Sequence, residues 1–453
     1  RMSGGESTAW VERGYDPRNL WAFQPLRSVE QPPGEDHPVD AFIEAGLREK
    51  DLEPAPRADP DQLARRLAYG LSGLPPTEAQ MKMGYEKLLE SLLASPHYGE
   101  RFAQHWLDVT RYADSNGFAK DDMRPDAHTY RSYVIESFDG DKPYDRFVRE
   151  QIAGDELNLA GQEALAFLWM GPWEITAMTS AAVARQMWLD DAVNSIGVTF
   201  LGQELRCAKC HDHKFDPIPT RDYYSMQAIL GSTAHHVKDG RFEVRRRAPE
   251  TISVLKGGAL DSPGEKVAPG LLSAVALTDG FKIPVGAEGR RAALANWIAS
   301  PENPLTARVM VNRVWQWHFG RGLVATPNGF GAMGAKPSHP ELLDWLADWF
   351  IENGWSVKKL NRLILTSEAY RRSTNHPALS KVRAVDPDGA LLASFRPRRL
   401  SAEEIRDSML AASGELRARI GGPGFRPEIN WEVAFQPRLA MGKIVKPWEP
   451  EPR

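Results

Sequence analysis

Apolar residues recur along this chain mostly at helical spacing, and only briefly in β-prone runs. Val39, Phe42, Ile43 and Leu47 form the first stripe. Asp59-Pro60, a cap followed by a first-turn proline, opens a second with Leu63, Leu67 and Leu71, which Leu74-Pro75-Pro76 ends. Tyr85, Leu88, Leu89, Leu92 and Leu93 form a third, and Ser95-Pro96 starts a fourth carrying Phe102, Trp106 and Val109. Asp141-Lys142-Pro143 marks a turn, and residues 145–154 read as helix again. Leu189, Val193, Ile196 and Phe200 predict a long helix just ahead of the chain's two cysteines.

Residues 231–288 break this rhythm. They are spotted with Gly and Pro and hold short β-prone runs such as Ile252-Ser253-Val254-Leu255. Helical stripes then return at Leu294, Trp297 and Ile298, at Leu305, Val309 and Val314, and at Leu342, Leu343, Leu346, Trp349 and Phe350. Another runs through Val357, Leu360, Leu363 and Ile364, and a last helix spans about Ala402 to Leu416. The pattern predicts a mainly α chain of two helical domains with a loop and short-strand excursion between them. The expected parts are an extended arm over 1–38, a first domain over 39–235, the excursion over 236–287 and a second domain over 288–453. The tail from Gly421 reads as loop.

Composition narrows the classes. The chain has 453 residues, is 42% hydrophobic and 26% charged, and carries a net charge of −4. That is ordinary for a globular protein and large enough for a substantial core. A nucleic-acid footprint would need a basic face, and the clusters Arg245-Arg246-Arg247 and Arg396-Pro397-Arg398-Arg399 are too short to make one. They read as solvated surface or salt-bridge donors. The longest apolar stretch, Ala164 to Met170, is far below the ~20 residues of a transmembrane helix. The 14 tryptophans read mostly as core filling between helices. The chain starts at Arg1, so sequence upstream, including any leader, is expected.

Both cysteines fall in one pentad, Cys207-Ala208-Lys209-Cys210-His211. This spacing lets two sulfurs reach the vinyl carbons of one haem while the adjacent imidazole meets the iron. Haem c, bound covalently through Cys207, Cys210 and His211, is therefore the leading expectation, with the haem part of the first domain's core. Three alternatives stay open: a local disulfide, a zinc site using His211 or His213, and two ordinary buried thiols. No strand–turn–helix redox pattern precedes the pentad, and four ligands this crowded make a poor tetrahedron.

The stretch Leu205 to Tyr224, LRCAKCHDHKFDPIPTRDYY, resembles the signature of planctomycete-type cytochrome c-like proteins. These join a CxxCH-containing domain of unknown function to an associated helical second domain of unknown function. His105-Trp106-Leu107-Asp108, Arg111 to Gly117, Asp141 to Phe147 and Gly171 to Glu174 are similar to the first domain. Asn303 to Val309, Asn312 to Trp315 and Pro337 to Trp345 are similar to the second. The resemblance runs from about Trp21 to Pro437. It implies a haem protein of the periplasm or the cell exterior, in organisms that degrade complex polysaccharides. It also implies an upstream cytochrome-like segment and further downstream sequence, neither of which lies within these residues. Residues 240–260 read shorter than the family's usual connection.

Around the pentad, His211 is the expected proximal ligand. His105, on the stripe His105, Asp108, Tyr112, is the candidate sixth ligand or distal residue, set against an ordinary helix histidine bonded to Asp108. His235, His236, Met170, Met178 and Met226 are the alternatives. The Trp169–Met178 turn, presenting Trp173 and Glu174, is a candidate wall. Tyr112 and Asp114 are candidate catalytic residues, able to serve as acid and base or to bind a sugar, against the alternative of a capped helix end. Asp212, His213 and Asp216 suggest a weak calcium site, or side chains tying the loop to Arg206 or Arg221.

Two functions follow as expectations. The first is extracytoplasmic redox chemistry or electron transfer, including a haem-dependent oxidoreductase acting on sugar or polysaccharide, with a redox partner protein or a carbohydrate as partner. The second is a glycan- or partner-binding scaffold with a structural or accessory haem. No hydrolase elbow or metalloprotease motif is present.

Overall fold

A computed structural model describes residues 20–117, 123–172, 179–238, 241–275, 280–424, 439–440 and 443–444, with only the backbone described at 235–238, 241–242 and the last two pairs. The chain is mainly α. The first half holds α1 (Pro38–Glu49), α2 (Pro60–Leu71), α3 (Glu78–Met81), α4 (Tyr85–Leu93), α5 (Pro96–Val109), α6 (Ala127–Asp139), α7 (Tyr144–Ala153), α8 (Gln162–Leu165), α9 (Ala181–Ile196) and α10 (Thr220–Leu230). Two antiparallel hairpins follow, β1 (Thr233–Lys238) with β2 (Arg241–Arg246), and β3 (Ile252–Leu255) with β4 (Pro263–Val267). The second half holds α11 (Arg290–Ile298), α12 (Thr306–Phe319), α13 (Pro340–Glu352), α14 (Val357–Thr366), α15 (Glu368–Arg371), α16 (Leu379–Val385) and α17 (Ala402–Ser413). A two-residue ladder, β5 (Leu439–Ala440) with β6 (Lys443–Ile444), completes the described elements.

The helices begin where the local chemistry says they should. Asp59 accepts a hydrogen bond from the backbone N–H of Gln62 at 2.8 Å, and Pro60 stands at the first position of α2, where its missing N–H costs nothing. Ser95 accepts from the His97 N–H ahead of Pro96 in α5. Ser401 and Glu404 close a reciprocal capping box at α17. The turn predicted at Asp141-Lys142-Pro143 is real, and Asp141 takes a positive φ of 48° there.

The buried apolar residues of both halves join in one continuous cluster rather than two separate cores. Polar links stitch the halves as well. Asp40 of α1 accepts the N–H groups of Glu368 and Ala369, each at 2.8 Å, and so caps α15 from 328 residues away. Arg291 of α11 grips Asp155 with two bonds of 2.8 and 2.7 Å and donates to the Ile152 carbonyl. Arg308 of α12 is buried, pairs with Asp344 at 2.7 Å and donates to the carbonyls of Ala22 and Gln24. The described part of the N-terminal arm is thereby held against the second half, with Ala22 and Phe23 buried. No helix among the described residues is long and apolar enough to cross a membrane.

Candidate functional site

The pentad begins on a 3-10 turn, Leu205–Lys209, with Cys210 capping its end and His211 just beyond; the turn follows α9 and a π-helical turn over Gly197–Leu201. Leu205 and Ala208 point inward and are fully buried, which turns Cys207, Cys210 and His211 outward. The thiols are not a buried pair: both are exposed at the surface, and they are not joined in a disulfide.

The turn is clamped from below. Buried Asp190 of α9 accepts from Lys209 Nζ at 2.8 Å, from Tyr223 O–H at 2.7 Å and from Gln227 Nε2 at 2.8 Å. Tyr224 O–H donates to the Lys209 carbonyl at 2.9 Å. Burial, with Asp190 beside it, pushes the Tyr223 phenol far up, so it remains a donor. On the other side Gly258, with φ of +74°, passes so close that a Cβ there would lie 2.8 Å from Cys210 Sγ. Only glycine tolerates both the backbone and the approach.

His211 Nδ1 lies 2.7 Å from the carbonyl oxygen of Asp212, which can only accept. That bond puts the ring proton on Nδ1 and the lone pair on Nε2, the tautomer a metal-ligating imidazole needs. Two thiols three positions apart and the adjacent imidazole match the donor set of a covalent haem.

Asp212, His213 and Asp216 do structural work. Asp212 Oδ1 accepts the Thr220 N–H at 2.8 Å, at the start of α10. Asp216 Oδ1 accepts the Ala332 N–H at 2.6 Å, tying the loop to the second half. His213 Nδ1 accepts the Asp216 N–H at 3.0 Å, and burial lowers the pKa of its ring. The ties run to these backbone groups rather than to Arg206 or Arg221; Arg221 pairs with Glu265. No cluster of three metal-ligating side chains occurs among the described residues.

His105 lies elsewhere. Its ring stacks on Trp317 of α12, with centroids 4.9 Å apart and planes 8° apart, and meets the edge of Phe102. It makes no hydrogen bond to Asp108. Burial, with Arg101, His318 and Arg398 nearby, drives its pKa well below the usual imidazole value, so the ring is neutral.

The His105–Trp317 pair lines a cavity of about 610 Å³. From α5 and its end come Arg101, Asp108 and Arg111; from α9 and the π-turn come Asn194, Ser195 and Thr199. The second half adds Arg313, Gln316, Asn328 and Arg398. Cys207, Cys210 and His211 are not among the lining residues.

Tyr112 and Asp114 are joined to each other. The phenol donates to Asp114 Oδ1 at 2.7 Å, and burial plus that carboxylate raise its pKa, so it stays protonated. Asn116 is held by Arg124, which also donates to the carbonyls of Met170 and Gly171. Met170 and Met226 are buried in the core. Trp173, Glu174 and Met178, and the side chains of His235 and His236, lie outside the described residues.

The basic clusters are salt-bridge donors: Arg245 to Glu243, Arg246 to Glu288, Arg247 to Glu250. Arg398 is a salt-bridge donor too, pairing with Glu404 at 2.6 and 2.8 Å, and it also lines the cavity. Asp190, Trp317 and Arg313 were missed. The available signal was weak: polar residues on the inward side of an apolar stripe, as Arg313 is between Val309 and Val314.

No curated protein and no solved structure matches the chain. Residues 38–235 match a family model, PSCyt2, described as a protein of unknown function (DUF1549). Residues 290–446 match a second, PSD1, a protein of unknown function (DUF1553). The chain thus carries regions similar to these two families in tandem, with the pentad in the first and the cavity built from both.

Proposed function

We propose that the chain is an extracytoplasmic c-type haem protein serving redox chemistry or electron transfer. The observation that carries this reading is the pentad itself: two unpaired thiols on one anchored turn, followed by an imidazole whose Nε2 holds the lone pair. A haem held there would supply one-electron chemistry at the surface, within reach of a partner. Asp190 and Tyr224 would keep the turn rigid, and the Asp212 carbonyl would orient His211. Thioether attachment takes place in export-linked compartments, which is the ground for a periplasmic or extracellular location.

The test is a reduced-minus-oxidised visible spectrum of protein produced in a haem-attaching host, together with intact mass. Mass in excess by one haem and colour surviving acid–acetone extraction support the reading. A colourless protein containing zinc overturns it.

A second reading, a binding module in which any haem is accessory, is favoured by one observation: the cavity's lining excludes the pentad. Binding without haem-dependent turnover would select it.

A further inference from the structure

The cavity is more than a packing gap, and three independent features say so. The first is hydrogen bonding. Buried polar atoms are normally satisfied. Yet Arg101 Nε, Arg111 Nε and Nη1, Asn194 Oδ1, Ser195 Oγ and Thr199 Oγ1 have no hydrogen-bond partner among the described residues, and all belong to side chains that line this one cavity.

The second is backbone strain. Arg111 follows the end of α5 with φ of +60°, in the left-handed position where helices prefer glycine. A side chain there is strained and is retained when it serves something else. Here its guanidinium reaches across to Asp191 at 2.9 Å and lines the cavity. The third is the wall opposite: Val198 and Thr199 belong to a π-helical turn, an irregularity common at functional sites.

Charge indicates what would enter. Four arginines line the cavity, but only two carboxylates bond to them. Arg101 and Arg398 share Glu404, and Arg111 has Asp191. Arg313 donates to the Val198 and Thr199 carbonyls and to Asn328 Oδ1. Asp108 also lines the cavity, its carboxyl pKa raised by burial and by Glu403. Guanidinium groups recognise carboxylates in a planar, bidentate way. Hydroxyl and amide groups of Ser195, Thr199, Asn194 and Gln316 suit alcohol groups, and a volume of about 610 Å³ suits a ligand of one or two sugar rings.

We infer that this cavity binds a small hydroxylated carboxylate, an acidic sugar of the uronate class, through Arg111 and the polar atoms of α9 and the π-turn. The inference does not depend on haem at Cys207 and Cys210, and binding is read by heat rather than by colour, so either reading can fail alone.

The experiment is calorimetric titration of the full chain with D-glucuronate, D-glucose and inorganic phosphate. Glucuronate binds, and glucose and phosphate bind at least tenfold more weakly. Arg111→Gly removes the guanidinium while relieving the backbone, so it keeps its helical circular dichroism and weakens glucuronate at least tenfold. Thr199→Val removes one unpartnered hydroxyl at nearly constant volume, leaves Tm unchanged or higher, and weakens glucuronate at least threefold. No binding of glucuronate at millimolar concentration overturns the inference. So does glucose binding as tightly, which removes the carboxylate, or phosphate binding as tightly, which leaves only an anion site. Wild-type affinity in Thr199→Val also overturns it, and that variant decides alone if Arg111→Gly does not fold.

Discussion

His105 and Trp317 lie face to face, 4.9 Å apart and within 8° of parallel, one from α5 and the other from α12. The contact joins the region similar to the first family with the region similar to the second, and it forms one wall of the cavity.

That stack decides what replacing His105 should do. An axial ligand, once removed, would shift the Soret band and the midpoint potential of a haem-loaded protein. A ring stacked on Trp317 in the cavity predicts otherwise: His105→Ala leaves the spectrum unchanged and lowers stability by about 1–3 kcal/mol, from lost aromatic contact and a new void. Visible spectroscopy and urea unfolding of the same sample separate the two outcomes. A Soret shift would return His105 to the iron.

The exposed cysteines carry a second prediction. If haem is attached as proposed, Cys207→Ala with Cys210→Ala should abolish that attachment, yet the polypeptide should still fold, because both side chains face outward while Leu205 and Ala208 anchor the turn. Stability changes by about 0.5 kcal/mol or less in haem-free protein, as for surface substitutions generally. Loss of helical circular dichroism in the double variant would contradict the anchoring.

Asp40 tests the union of the halves. It is buried and satisfies two backbone N–H groups at the start of α15. Asp40→Ala leaves both unpaired and should cost about 2 kcal/mol, within the range for a lost cap and orphaned buried donors. Because one core cluster spans both halves, denaturant unfolding should remain one cooperative transition at a lower midpoint. A separate early transition of the second half would show that the halves unfold independently.

Two buried histidines set the acid side of the stability profile. Burial lowers His318 and His339 from 6.5 to about 4. Their folded-state values lie below the unfolded value, so the unfolded chain binds more protons as pH falls. Their contribution is complete above about pH 6.5 and is lost as pH drops from there toward 4. At pH 5 each should have cost roughly 2 kcal/mol relative to pH 7. His318→Gln should flatten part of that slope in urea titrations at pH 7, 6 and 5. An unchanged slope would mean that His318 does not stay neutral in the fold.

The helices and the pentad were legible because their determinants are local. Leu63, Leu67 and Leu71 mark one face of α2, and Asp59-Pro60 marks its start, all within one short window. Cys207, Cys210 and His211 lie within five positions, so the spacing alone keeps them on one short stretch of chain at the end of a 3-10 turn. Even there, the sequence left burial open, and both thiols prove to be exposed. The orientation of the turn depends on Asp190, Tyr223 and Tyr224, partners drawn from α9 and α10.

The helix α6 went unread for a related reason. Tyr130, Tyr133, Val134 and Phe138 are buried, but Ser137 is buried with them and His128, Arg131 and Ser132 are only partly exposed, so its stripe is blurred. Arg398 was legible as a salt-bridge donor, but only the fold names Glu404 as its partner and sets it at the cavity.

By itself, then, the sequence determined the helical class and the donor groups of the pentad, since both follow from residues within a few turns of each other. The tertiary structure alone decided that the pentad faces outward, that His105 meets Trp317, and that four arginines from positions 101, 111, 313 and 398 surround one cavity. Those groups are separated by up to about 300 residues, and no local periodicity encodes which inward faces of distant helices will meet; packing of the shared core does.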